Sequence, residues 1–88
     1  MADGNGQEQR AAKYSTPEVV AADLVNRFSY HAPKPGQAER YQEIRRAALA
    51  FAQVLVDQCP PGKRETALAM TNLEQACFWA NASIARNE

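Results

Sequence analysis

Residues 36–62, GQAERYQEIRRAALAFAQVLVDQCPPG, contain the pattern that decides the fold. Within this stretch apolar residues recur at intervals of three and four positions, which places them on one face of an α-helix. These residues are Tyr41, Ile44, Ala48, Phe51 and Leu55. Glutamates and arginines fill the other face up to Arg46, and the Pro-Pro-Gly run at 60–62 breaks the helix. The sequence therefore predicts a long amphipathic helix over about residues 36–58.

A second helical pattern with the same spacing follows the break and continues to Arg86. The positions on its apolar face are Thr66, Met70, Leu73, Cys77, Ala80 and Ile84. Two long helices joined by so short a turn must lie antiparallel. We therefore predict a helical hairpin over about residues 36–87, with Ile44 facing the region of Cys77.

The residues before the hairpin divide into a tail, a short helix and a connector. Residues 1–14 are rich in polar side chains and Gly, which is typical of a flexible tail. The Ser-Thr-Pro run at 15–17 predicts a hydroxyl-capped helix that ends near Phe28. Two prolines in residues 29–36 favour an extended, stiff connector. We expect an all-α protein, in which residues 15–88 form a single helical domain with the short helix preceding the hairpin.

The size of the chain predicts a homo-oligomer. An 88-residue chain buries only about 60 to 65% of its unfolded surface, so it gains stability from disulfides, a metal or oligomerisation. Cys59 lies at the helix break and Cys77 roughly 22 Å along the second helix, so the two cannot easily pair. The single histidine, His31, supports no structural zinc site. Oligomerisation is left, and it would cover the apolar residues off the hairpin seam: Val54, Val56, Leu68, Phe78 and Trp79.

Charge and hydropathy argue against several classes of partner. Lys plus Arg and Asp plus Glu both count 10, so net charge gives no general attraction to DNA, RNA or anionic lipid. No apolar stretch approaches the roughly 18 to 20 residues that span a bilayer, and the first residues lack the apolar core of a secretory signal. We therefore expect a soluble, intracellular protein that binds neither DNA nor a membrane.

The sequence contains no recognisable catalytic apparatus. No nucleophile stands with a base, no Gly-rich phosphate loop is present, and no metal motif such as Asp/Glu-x-x-His occurs. A phosphodiesterase would need such a nucleophile or metal set. We therefore predict a binding protein that is not an enzyme and needs no cofactor.

Candidate binding residues lie in the connector and along both long helices. Tyr30, in the connector, could stack on a nucleobase, although simple packing is the commoner role of such a ring. Arg45 shares a helix face with Tyr41, and its guanidinium suits a phosphate, although a solvated face with weak ion pairs is the commoner origin of such Arg/Glu runs. His31 more often makes a backbone hydrogen bond than binds a ligand. Lys34 is a further candidate ligand-binding residue of the connector.

Two arginines of the second long helix are also candidates. Arg64 lies where backbone N–H groups and the helix dipole favour an anion, and a salt bridge near the cap is the simpler explanation of its charge. Arg86 lies about half a turn past Ile84, where it could reach a ligand. A contact with the helix dipole at the C-terminal end is the simpler explanation there.

Four segments together carry a resemblance to a known family: Tyr30-His31-Ala32-Pro33-Lys34, QAERYQEIR at 37–45, RETAL at 64–68 and WANASIARN at 79–87. In this order they resemble the phage anti-CBASS cyclic-nucleotide sponges, which share their helical hairpin with phage anti-Thoeris sponges. The resemblance covers roughly the last two thirds of the chain. The first 25 or so residues form a longer start than is usual in the family, and the β-rich domain of the anti-Thoeris relatives is missing.

The resemblance implies a homo-oligomer, typically a hexamer, that sequesters cyclic oligonucleotide signals in the cytoplasm of the infected bacterium and so blocks CBASS immunity. Cyclic dinucleotides such as cyclic GMP-AMP would bind between interlocked protomers, with Tyr30 stacking on bases and Arg45 holding phosphate. Cyclic trinucleotides are further candidate ligands at separate sites, where Arg86 is the first choice of contact residue and Arg64 the second. The missing β-rich domain argues against ribose-based Thoeris signals as the main ligand.

Two other classes of function stay open on the sequence alone. A helical structural or adaptor protein would use its exposed apolar faces to bind a protein partner, with the arginines only solvating it. A small DNA-binding regulator would need a basic recognition helix, which the zero net charge and the interspersed glutamates disfavour.

Overall fold

A computed structural model describes residues 12–88 of the chain. Within this range it contains three helices and no strand: α1 (Glu18–Phe28), α2 (Gln37–Gln58) and α3 (Arg64–Asn87). The predicted all-α class and the order of one short and two long helices are confirmed. Most of the predicted flexible tail, residues 1–11, lies outside the described residues.

The start of α1 differs from the prediction of a hydroxyl cap. Pro17 itself occupies the N-cap position, with extended backbone angles, and its carbonyl accepts the first helical hydrogen bond from the Ala21 N–H at 3.0 Å. A proline side chain has no oxygen with which to cap the helix, so the first turn depends on the pre-set φ of Pro17 and on the acidic side chain of Glu18.

Two glycines shape the ends of the hairpin. Gly36 precedes α2 with φ 84°, and Gly62 lies in the turn between α2 and α3 with φ 71°. Both angles fall in the left-handed region, where a side chain would be strained. The Thr66 hydroxyl donates a hydrogen bond to the Pro60 carbonyl at 2.8 Å and so closes the turn.

Helices α2 and α3 pack antiparallel along one seam, since Arg40 near the start of α2 bonds to Glu88, the residue that follows α3. Ile44 and Cys77 line one shared cleft, as predicted. The half-buried residues of α2 are Tyr41, Ile44, Ala48, Ala52 and Leu55. Phe51, predicted for this face, is exposed instead, because Ala52 lies closer to the centre of the seam and Phe51 borders it.

A single protomer buries very little apolar surface. Ile84, 8% exposed, is the one apolar residue of the described chain that counts as buried. The radius of gyration is 18.7 Å, against about 12 Å for a compact domain of this length. The large apolar residues predicted to lie off the seam are all exposed: Val54, Val56, Leu68, Phe78 and Trp79. Cys59 and Cys77 are both free thiols.

Helix α1 touches the hairpin only slightly. Its Leu24 is half-buried, while Val19, Val25 and Phe28 are exposed. The apolar face of α1 is therefore largely uncovered in one protomer. None of the described helices is long and apolar enough to cross a membrane.

Candidate functional site

The connector between α1 and α2 presents an aromatic ring to solvent. Tyr30 is 86% exposed, and its side chain makes no hydrogen bond or ring contact with residues 12–88. The next residue is fixed, because His31 Nε2 donates to the Asn26 carbonyl at 2.7 Å. This bond confirms the backbone hydrogen bond that was the expected role of His31. The exposed position of Tyr30 leaves its ring free to stack on a planar ligand.

Gln37 holds the other end of the connector. Its side chain is 4% exposed and is the one buried polar side chain among the described residues. The Lys34 backbone N–H donates to Gln37 Oε1 at 2.9 Å, and the Gln37 backbone N–H donates to the Lys34 carbonyl at 3.0 Å. The Tyr41 hydroxyl also donates to Gln37 Oε1, at 3.3 Å. These bonds tie the connector to the first turn of α2.

Glu88, which follows α3, contacts both the connector and the start of α2. Arg40 donates two hydrogen bonds to its carboxylate, at 2.6 and 2.9 Å, and the Lys34 ammonium donates to its main-chain oxygen. The hydrogen bonds and charge of Arg40 hold the pKa of the Glu88 carboxyl below its usual range, against the opposing effect of desolvation, and the Gln37 amide acts in the same direction as Arg40. The same pair raises the pKa of Arg40.

The lowered pKa of Glu88 fixes the sign of the pH dependence of this contact. Its stabilisation is present above the carboxyl group's unfolded pKa and is lost as the pH falls through the lower folded pKa. The contact is therefore intact near neutral pH. Both side chains are solvent-exposed, so the ion pair contributes little to the stability of the fold.

Arg45 lines an apolar cleft between α2 and α3. The cleft has a volume of about 330 Å³ and carries Arg45 and Glu74 at its polar edge. Its remaining lining is Ala48, Leu49, Ala52, Met70, Leu73, Cys77 and Phe78. Arg45 makes no ion pair or hydrogen bond with any residue that the structure describes, whereas Arg46 pairs with Glu43. The weak ion pairs expected for this Arg/Glu run therefore explain Arg46 but not Arg45. The Arg45 guanidinium is available to bind a ligand.

Arg86 lies in a second cleft, beside Trp79. Its guanidinium carbon is 5.7 Å from the centroid of the Trp79 ring, a cation–π distance. Arg86 Nη2 also donates a long hydrogen bond, 3.4 Å, to the Arg27 carbonyl near the end of α1. Arg86 also lies in the last turn of α3, where a positive charge suits the dipole of its own helix, as the simpler explanation expected. The cleft, about 390 Å³, is completed by Gln75, Phe78 and Ala82.

Arg64 stands apart from the other candidates. It begins α3, roughly 33 Å along that helix from Arg86 at 1.5 Å per residue. It lines an open cleft of about 480 Å³ with Lys63, Thr66 and Met70, and it has no ion pair or hydrogen bond within residues 12–88. One protomer thus groups Tyr30, Lys34 and Arg86 near one end of the hairpin and leaves Arg64 at the other.

Sequence reasoning missed Gln37 and Glu88 as residues that shape this site. A local signal existed for Gln37, since a polar side chain at the start of a helix often bonds back to the preceding backbone. No local signal existed for Glu88, because its partners lie 48 and 54 positions away in the chain. Within residues 12–88 no group of three or more His, Cys, Asp or Glu side chains is placed to hold a metal ion.

Comparison with known families gives one match. A family model described as the Acb2/Tad1 hairpin domain matches residues 21–85, from within α1 to the last turns of α3. The part of the chain that precedes the family region is therefore the first 20 residues, a few fewer than the sequence suggested. No curated protein and no solved structure matches the chain.

Proposed function

Because the chain belongs to the Acb2/Tad1 hairpin family of anti-CBASS and anti-Thoeris sponges, we propose that it binds and sequesters cyclic oligonucleotide signals without cleaving them. The observation that carries this proposal is the Tyr30 ring, 86% exposed on a connector fixed at both ends. A sponge of this kind would remove the signal of bacterial CBASS immunity in the cytoplasm of the infected host.

The proposed ligands are cyclic dinucleotides such as cyclic GMP-AMP. Their bases offer planar faces to Tyr30, and base–aromatic stacking contributes about 1 to 3 kcal/mol per base. Their phosphodiesters offer anionic oxygens to Arg45, whose guanidinium has no competing partner within the described chain. Lys34 adds positive charge near Tyr30, although its ammonium contacts Glu88 in the free protomer.

We further propose that the site forms between protomers of a homo-oligomer, with a hexamer as the expected state. Among the apolar residues of the described range, 12–88, one protomer buries only Ile84, and it leaves much of α1 and the outer hairpin face uncovered. Surfaces of this kind require a partner, and a symmetric assembly supplies one from the same sequence. A two-fold axis between protomers would present a pair of Tyr30 rings and a pair of Arg45 side chains to a two-fold symmetric ligand.

Cyclic trinucleotides are proposed as a second ligand class. Arg86 is the first candidate for their phosphates, because its guanidinium, which contacts the Trp79 ring and makes one long hydrogen bond, has no carboxylate partner within residues 12–88 and lines an open cleft. Arg64 is the second candidate, because its guanidinium, at the opposite end of α3, has no ion pair or hydrogen bond with the part of the chain that the structure describes.

A helical adaptor that binds a protein partner is the alternative function. The exposed apolar side chains of Phe78 and Trp79, 61% and 62% accessible, favour it. Ligand recovery separates the two functions. Excess protein is incubated with cyclic GMP-AMP, free ligand is removed, the protein is denatured by heat and the released ligand is analysed by chromatography. A sponge returns the ligand intact, an adaptor retains none, and a phosphodiesterase returns cleaved products.

Arg45→Ala is expected to weaken cyclic GMP-AMP binding by about 10- to 100-fold, because a charge-assisted hydrogen bond to phosphate is worth about 1.5 to 3 kcal/mol. Arg46→Ala is the matched control, since Arg46 is the next residue and already pairs with Glu43. Both affinities are measured by titration calorimetry at one salt concentration. Equal affinities for the two variants would remove Arg45 from the site.

A further inference from the structure

The Pro-Lys-Pro segment of the connector has only one backbone donor. Pro33 and Pro35 carry no N–H group, so the Lys34 N–H is the sole main-chain donor among these three residues. Gln37 Oε1 accepts that donor at 2.9 Å, and the Lys34 carbonyl accepts the Gln37 N–H at 3.0 Å. Gln37 thus binds both polar groups of one residue and fixes its orientation.

The buried position of Gln37 makes these bonds specific. A side-chain amide that is 4% exposed must find partners inside the protein, because leaving it unpaired is costly. Gln37 finds them in the connector, in the Tyr41 hydroxyl and in the Glu88 carboxylate. An apolar side chain of similar length could fill the same space, but it would leave the Lys34 N–H without its acceptor.

Gln37 therefore restrains the segment that carries Tyr30. His31 is bonded to α1 through Asn26, and Lys34 is bonded to α2 through Gln37, with only Ala32 and Pro33 between them. A ring held in place before binding loses less conformational freedom when it stacks on a ligand. Releasing one end of the connector should therefore lower affinity without removing any atom that contacts the ligand.

We propose that Gln37 is a positioning residue: its buried amide fixes the Lys34 backbone and so holds the connector in the conformation that presents Tyr30 to the ligand. The expected effect of Gln37 on ligand affinity rests on the proposed function. The restraint of the connector is a property of the ligand-free protein. The effect on affinity and the restraint can therefore be tested separately.

The test compares Gln37→Met with Gln42→Met in the full-length chain. Methionine matches glutamine in length and lacks the acceptor, and Gln42 is an exposed glutamine of the same helix. Amide hydrogen exchange is followed by NMR in the ligand-free protein, and cyclic GMP-AMP affinity is measured by calorimetry. In Gln37→Met we expect the Lys34 amide to exchange at least about tenfold faster, with amides of α2 and α3 unchanged, and affinity to fall about tenfold. Gln42→Met should match the wild type in both measurements.

Three results would overturn the proposal. The first is a wild-type Lys34 amide that exchanges as fast as the Ala32 amide, which has no hydrogen bond within residues 12–88. This result would show that Gln37 does not protect the Lys34 N–H, and it can be obtained even if Gln37→Met fails to fold. The second is unchanged Lys34 exchange in Gln37→Met. The third is faster Lys34 exchange with wild-type affinity. A wild-type protein that binds no cyclic GMP-AMP overturns the proposed function instead, and the exchange rates still decide whether Gln37 restrains the connector.

Discussion

Tyr30→Ala is expected to weaken cyclic GMP-AMP binding by about 30-fold or more while the chain keeps its helices and its oligomeric state. Each lost stack costs about 1 to 3 kcal/mol, and a site shared by two protomers loses two of them. The fold should tolerate the change, because the Tyr30 side chain is 86% exposed and makes no hydrogen bond or ring contact with residues 12–88. Calorimetry measures the affinity, and light scattering on a sizing column measures the assembly.

Tyr14→Ala is the matched control for this prediction. Tyr14 is also an exposed tyrosine, but it precedes α1 and the family region, and the Lys13 ammonium lies 5.6 Å from the centroid of its ring. Tyr30→Phe keeps the ring and should retain affinity to within about threefold if stacking is the dominant contact. Wild-type affinity in Tyr30→Ala, or equal losses in the Tyr14 and Tyr30 variants, would remove the stacking role.

Phe78→Asp is expected to dissociate the assembly at micromolar concentration and to lower its melting temperature by about 10 °C or more. Phe78 borders both the Arg45 cleft and the Arg86 cleft and is 61% exposed in one protomer. Burying a phenylalanine contributes about 1.5 to 3 kcal/mol, and an unpaired carboxylate buried in its place costs several more. A loss of that size shifts the melting temperature of a small domain by many degrees.

Gln53→Asp is the matched control for Phe78→Asp. Gln53 is an exposed residue of α2, about half a turn around the helix from the seam, and it lines neither cleft that Phe78 borders, so Gln53→Asp adds a charge without removing an apolar side chain. Light scattering and circular dichroism are recorded for both variants. A Phe78→Asp protein with the wild-type mass and melting temperature would exclude this face as the interface, and a wild-type protein that is a stable monomer would exclude the proposed assembly altogether.

The helical hairpin could be predicted because its causes are local in the sequence. The three-and-four spacing from Tyr41 to Leu55 defines one helix face, and Pro60 to Gly62 ends that helix. That Ala52 lies at the seam while Phe51 is exposed could not be predicted from the apolar character of the two side chains. Both residues are apolar, and the exact centre of the seam depends on the rotation of α2 against α3.

The bonds that shape the candidate site were harder to predict. Glu88 reaches Arg40 and Lys34 only because the antiparallel hairpin returns the end of α3 to the start of α2. That proximity follows from the fold, and no pattern in the sequence around Glu88 predicts it. The sequence suggested Tyr30 and Arg45 through resemblance, and the structure adds the physical basis for using them, namely one exposed ring and one guanidinium without an ion-pair partner in the described chain.

The most direct test of the account is a calorimetric titration of the purified wild-type chain with cyclic GMP-AMP. The account predicts a dissociation constant in the nanomolar range or below, about −12 kcal/mol, because a sponge without turnover must bind more tightly than the receptor it deprives. It also predicts one ligand for every two protomers. No heat change with cyclic GMP-AMP or with a panel of other cyclic di- and trinucleotides would contradict the account and favour the adaptor function.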